Sequence, residues 1–134
     1  MEQDEHLTSL LVDQSLLDTK LLAESLRDRV GIDTHTGDVA IGPSFNELNN
    51  EQRVTAVLLG RLAANLLGRR DSSAATLKEV ADLSGMPSGS VAPAARALAT
   101  KRRLALQDDE KRYYIPRPKV MDACRFLAPE RKPQ

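Results

Sequence analysis

Thr76-Leu77-Lys78-Glu79-Val80-Ala81-Asp82-Leu83-Ser84-Gly85-Met86-Pro87-Ser88-Gly89-Ser90-Val91-Ala92-Pro93-Ala94-Ala95-Arg96-Ala97-Leu98 is the stretch whose reading decides the fold. Val80, Leu83, Met86, Val91, Ala95 and Leu98 recur at intervals that line one side of two short helices. Two helices joined by a turn pack closely only where small residues sit at their crossing. Ala81 supplies the small side chain, and Gly85, four positions on, supplies a left-handed backbone. The turn is expected over Ser84 to Gly89. Ser90 is then the N-cap of the second helix, which puts Pro93 in its first turn, where a missing backbone N–H is tolerated. A start capped by Ser88 would carry Pro93 one turn too deep.

With Val91, Ala95 and Leu98 turned inward, a helical period turns Pro93, Arg96, Ala97, Thr100 and Arg103 outward. Beyond the helix, Leu104-Ala105-Leu106-Gln107 and Arg112-Tyr113-Tyr114-Ile115-Pro116 flank the polar run Asp108-Asp109-Glu110-Lys111, which reads as a β-hairpin. A short strand is expected near Ser73 to Ala75. A long helix from Asn46 to Leu67 precedes it, broken by Gly68 and the run Arg69-Arg70-Asp71-Ser72-Ser73.

This succession of helix, strand, helix, helix and hairpin, from Asn46 to Ile115, resembles the winged helix-turn-helix superfamily. The fold class expected is mainly α with a small hairpin wing. The resemblance implies a DNA-binding transcription regulator whose second helix enters the major groove. There Arg96 would take guanine O6 and N7, and Ser88, Ser90 and Thr100 would touch phosphate or base. Lys101, Arg102, Arg103, Lys111 and Arg112 would form a phosphate-contacting cluster. Two features depart from the family pattern. Lys101-Arg102-Arg103 stands where many members place a glycine at the helix exit. The wing tip carries three carboxylates, Asp108, Asp109 and Glu110, which phosphates repel.

Working toward the N-terminus, apolar residues at Leu7, Leu10, Leu11, Leu16, Leu17, Leu21, Leu22, Leu26 and Val30 give one amphipathic helix, or two broken near Asp13 to Ser15, ended by Gly31. Residues Ile32 to Ile41 read as two short β segments around a Thr-Gly-Asp turn. The organisation expected is 1–45 as a dimerisation or interaction arm, 46–127 as the winged domain with a C-terminal helix from Val120 to Leu127, and 128–134 as a tail. A homodimer on double-stranded DNA follows from the small interface of a single winged helix. The alternative is a winged helix that binds protein within a larger assembly.

Charge is zero in sum but divided: residues 1–68 hold five Lys/Arg and eleven Asp/Glu, and residues 69–134 hold fourteen and eight. Either the halves pair with each other or the molecule has two poles. No apolar run approaches the roughly 18 residues of a membrane span, and Met1-Glu2-Gln3-Asp4-Glu5 is acidic where a secretory signal is basic, so a soluble, cytoplasmic protein is expected. Cys124, the single cysteine, lies on an apolar helix face and reads as a buried thiol. His6 and His35 make no zinc spacing with it. There is no glycine-rich phosphate loop, serine–histidine or cysteine–histidine constellation, or paired carboxylate arrangement, so neither enzymatic activity nor a cofactor is expected.

Overall fold

The computed structural model describes residues 5–11 and 14–128. At its centre is helix α3 (Asn50–Leu66), which begins where the Asn49 side chain accepts the Gln52 N–H at 2.9 Å and the Gln52 side chain accepts the Asn49 N–H at 3.0 Å. Each bond satisfies an amide that the first turn of a helix leaves open. Every residue from Val54 to Leu62 is buried, so α3 is covered on all sides rather than along one stripe. Its start corrects the expected Asn46. Phe45–Glu47 instead form a 3-10 turn that buries the Phe45 ring, and α3 waits for the stronger cap at Asn49.

Ahead of α3 lie α1 (Glu5–Thr8) and α2 (Gln14–Leu26), so the apolar run from Leu7 to Val30 is not one helix. Leu22 and Leu26 enter the core, while Leu7, Leu10, Leu11, Leu16 and Leu17 stay exposed. Nor does Gly31 terminate the helix: Asp28 takes the left-handed backbone (φ 65°), Arg29 N–H donates to the Leu26 carbonyl, and Gly31 sits inside strand β1 (Val30–Ile32). Strand β1 pairs antiparallel with β2 (Val39–Ile41), Val30 opposite Ile41 and Ile32 opposite Val39. In the connecting turn the Asp33 carboxylate accepts the Thr36 and His35 N–H groups, which hold its carboxyl below the ordinary range. The hairpin rests on α3 at Gly60, where a Cβ would approach Val39 Cγ2 to 2.9 Å.

Helix α4 (Leu77–Ser84) is capped in the same reciprocal way, by Thr76 and Glu79. It stops at Gly85, whose φ of 74° is the left-handed turn expected there. Val80, Met86, Val91, Ala95 and Leu98 are buried and Leu83 is half-buried, as the seam requires. The turn is shorter than expected. Pro87 is extended (φ −66°, ψ 147°), and its carbonyl accepts the Ser90 and Val91 N–H groups, so α5 (Ser88–Thr100) starts at Ser88 and Ser90 is not its cap. Pro93 consequently lies inside the helix, and the Gly89 carbonyl lacks the amide four residues on that would ordinarily occupy it. At the far end, Lys101 and Arg102 N–H both reach the Ala97 carbonyl, and Arg103 makes the bend itself with a φ of 55°. The absent glycine is thus replaced by a strained arginine.

Strands β3 (Leu106–Gln107) and β4 (Tyr113–Tyr114) form the second antiparallel hairpin. Ala75 and Tyr113 exchange backbone hydrogen bonds at 2.9 and 2.7 Å, so the strand expected near Ser73 to Ala75 is a one-residue bridge on the hairpin's edge. A 3-10 turn (Arg117–Lys119) leads into α6 (Val120–Leu127), which buries Val120, Ala123, Cys124 and Leu127. Burial pushes the Cys124 thiol pKa up, so it is held as the neutral thiol of a core residue. The architecture is mainly helical with two small antiparallel hairpins. Leu22, Leu26, Val30 and Val39 share one core with α3 to α6. Among the described residues no helix is long and apolar enough to cross a membrane.

A charge lies within this core. Arg61 of α3 is 3% exposed, and its Nη2 donates to Glu79 Oε2 at 2.8 Å and to the Ala74 carbonyl at 3.2 Å. Burial opposes ionisation of Glu79, but the Thr76 N–H and the Arg61 guanidinium outweigh it and leave the carboxyl below its ordinary 4.5. A depressed carboxylate contributes stability that is complete above its unfolded pKa and is lost as pH falls through the folded one. Resistance to urea should therefore fall progressively below about pH 4.5, and Glu79→Gln should flatten that decline. Glu79→Ala should cost about 2 kcal/mol at neutral pH, less than the ~3–5 of a fully buried pair because Glu79 is partly solvated. Gly85→Ala, where no atom lies within 4 Å of the new Cβ, should cost about 1–2 kcal/mol through backbone strain alone.

Candidate nucleic-acid interface

The exposed side of α5 is the surface that the helix pair turns outward. Ser88, Gly89, Pro93, Arg96 and Thr100 are exposed along it, and Ser90, Ala92 and Ala97 are half-buried beside them. α5 contains no acidic residue, and Arg96 is its single charge. Pro87 offers no side-chain cap, so the Ser88 and Gly89 amides stand open at the N-terminus, where the helix dipole is positive. Two features of this ridge are already committed or constrained. The Thr100 hydroxyl donates to the Arg96 carbonyl at 2.8 Å, and Ser90 is drawn in as the third residue of the helix.

The basic cluster expected around the helix exit divides in two. Arg96, Lys101, Arg103 and Lys111 are exposed, with no ion pair to any described residue, and Lys111 sits on the hairpin loop with a φ of 64°. Arg102 and Arg112 are occupied. Arg102 Nε donates to Glu51 Oε1 at 2.6 Å, and its guanidinium lies 4.3 Å over the Phe126 ring, tying the exit of α5 to the first turn of α3 and to α6. Arg112 Nε donates to Asp108 Oδ2 at 2.9 Å, with Glu110 at 3.8 Å. The Arg112 backbone N–H is also the main reason that the Asp108 carboxyl stays below the ordinary range. Of the three acids expected at the hairpin tip, Asp108 is therefore turned inward as the organiser of the loop, and Asp109 and Glu110 remain outside.

Several pairs also join the acidic and basic halves of the chain. Arg70 meets Asp38 at 2.8 Å, Arg102 meets Glu51, and Arg117 meets Asp18 at 3.5 Å. Part of the charge division is thus spent within the molecule. What the sequence reading missed is Arg61, hidden among apolar helix neighbours. Its one signal was a cation interrupting the apolar run from Ala56 to Ala64 of α3. Comparisons with protein-family models, curated proteins and solved structures find no match to this chain. The use of this face has to be read from its own geometry.

Because the Arg96 side chain makes no hydrogen bond or ion pair with a described residue, Arg96→Ala should leave thermal stability within about 0.5 kcal/mol of the parent. Arg102→Ala should lose about 1 kcal/mol through its ring contact and its ion pair, and calorimetry on the two variants separates a free side chain from a structural one.

Proposed function

We propose that the chain is a DNA-binding regulator that acts as a homodimer through a winged helix-turn-helix, with α4 and α5 as the helix pair and β3–β4 as the wing. One observation carries the reading: α5 lies beyond a left-handed glycine turn with an outer face free of acids, an open N-terminus and an unpaired, exposed Arg96. A helix N-terminus receives phosphate, and an arginine on an exposed helix face reaches guanine in the major groove. Arg96 is the base-reading residue. Ser88 and the amides beside it position the helix on the backbone, and Lys101, Arg103 and Lys111 contribute phosphate contacts. Arg102 and Arg112 hold structure instead, and the Thr100 and Ser90 side chains have minor roles. Homodimerisation uses the leucines left exposed on α1, on α2 and between them, Leu7, Leu10, Leu11, Leu16 and Leu17, since exposed apolar side chains close in sequence favour association.

The exposed Asp109 and Glu110 and the neutralised Arg112 favour a second reading, in which the same helix and hairpin dock on a protein. The two separate by salt. Binding to random duplex DNA should weaken with log salt by a slope of roughly −2.7 per protomer, about −0.9 for each of Lys101, Arg103 and Lys111. An absent or flat response removes the DNA reading and leaves the protein one. At a site selected from randomised DNA, Arg96→Ala should cost about 1–3 kcal/mol and little on random duplex. For the dimer, sedimentation should show two chains in the parent and one in a Leu10→Glu, Leu17→Glu variant with unchanged helical content.

A further inference from the structure

On the edge of the β3–β4 hairpin, beside the first turn of α4, lies a cleft of about 380 Å³ that no part of the DNA reading uses. Arg61, Arg69, Arg70 and Arg112 all line it, together with Ser72. Asp71 and Glu79 also line it, so net charge alone does not make it a site. The donor geometry does. Each paired arginine spends only part of its guanidinium: Arg61 donates through Nη2, Arg70 through Nη1 to Asp38, and Arg112 chiefly through Nε to Asp108. A guanidinium carries five N–H donors, so several remain on each. Arg69 makes no ion pair with any described residue.

The deciding atom is Arg61 Nε. It is buried without a hydrogen-bond acceptor, as are Arg53 Nε and Arg117 Nε elsewhere, but of the three only Arg61 lines this cleft, and it is 3% exposed. A buried charged donor left unsatisfied is costly, and such a group in a native fold calls for an acceptor. A carboxylate presents two oxygens whose lone pairs lie in one plane, so it pairs best with a guanidinium fork approaching in that plane. A phosphoryl group presents three oxygens in a tetrahedral array and suits several arginines converging from different elements.

We propose that this cleft binds a phosphoryl group through Arg61, Arg69, Arg70 and Arg112. Its source is either a free phosphorylated small molecule or the backbone of a nucleic acid, and the volume leaves room for more than the phosphate itself. The site does not depend on the DNA-binding reading, since a free phosphorylated ligand satisfies the same donors. Occupancy reaches the hairpin directly, because Arg112 adjoins β4 and the Arg61 partner Ala74 adjoins the Ala75 bridge.

The test is a titration of the full chain, labelled with ¹⁵N on its arginines, with inorganic pyrophosphate and separately with a short random DNA duplex at low salt. The Arg61 Nε–H resonance should move saturably, with a Kd at or below about 1 mM for at least one of the two probes. A response to pyrophosphate assigns a free phosphorylated ligand, and a response to duplex alone assigns backbone phosphate. Arg69→Ala, which keeps the Cβ packed near Gly37, should weaken the responding probe about tenfold, and the surface control Arg125→Ala should leave it unchanged. No saturable shift with either probe overturns the site, as does equal affinity in Arg69→Ala and the parent. Loss of DNA binding with the pyrophosphate response intact would sink the DNA reading and leave this one standing.

Discussion

The structure depends on the enclosure of α3. A helix surrounded on every side has no solvent-facing stripe on which to place polar residues, so Val54, Ala56, Val57, Leu58, Leu59 and Leu62 are all apolar, and Gly60 is small where β2 lies against it. Around this axis sit α2, α6, both hairpins and the α4–α5 pair. The single cation admitted to the enclosed stretch, Arg61, has to be met by partners from elsewhere. Glu79 and the Ala74 carbonyl meet it, and in doing so they fix the first turn of α4 and the strand edge relative to α3. Replacing such a pair with apolar side chains is often neutral or stabilising in other proteins, so its retention here is better explained by alignment than by strength.

Much of this was legible because the signals were local. The αL requirement at Gly85, the apolar seam from Val80 to Leu98 and the alternation around Asp108 to Lys111 are properties of neighbouring residues, and they reappear as the turn, the helix pair and the hairpin. The errors have local causes too, but competing ones. Ser90 and Ser88 were the caps the sequence offered to α5, and neither serves, because the extended Pro87 carbonyl ahead of them accepts two amides at once. Asp28 reached the left-handed conformation before Gly31 was needed. The candidate site was harder to read. Whether an arginine is free depends on residues far along the chain: Arg102 lies 51 positions from Glu51, and periodicity carries no trace of that pairing.

The division of charge along the sequence acquires a different sense in three dimensions. Arg70–Asp38, Arg102–Glu51 and Arg117–Asp18 each take one partner from either side of residue 68, so they fasten the early elements to the later ones. These are partly exposed pairs, worth at most about 1 kcal/mol each, and their effect is more on relative placement than on stability. Arg96, Lys101, Arg103 and Lys111, which make no ion pair with a described residue, stand on α5, its exit and the second hairpin. A nearly neutral protein can therefore present a basic surface without an excess of basic residues.

Pro93 has a further effect on what α5 can receive. With no amide at that position, the carbonyl of Gly89 keeps its lone pairs for water on the exposed ridge. Any body that presses against the ridge must either displace that water at a cost of about 1–3 kcal/mol or offer a donor in its place. A phosphate has only acceptors and is met by the open Ser88 and Gly89 amides rather than by this carbonyl, whereas the exocyclic amines of adenine and cytosine and the amide side chains of proteins can donate to it. The ridge thus discriminates by position: it suits oxygen at the amides that open the helix and hydrogen at the Gly89 carbonyl one turn before Pro93.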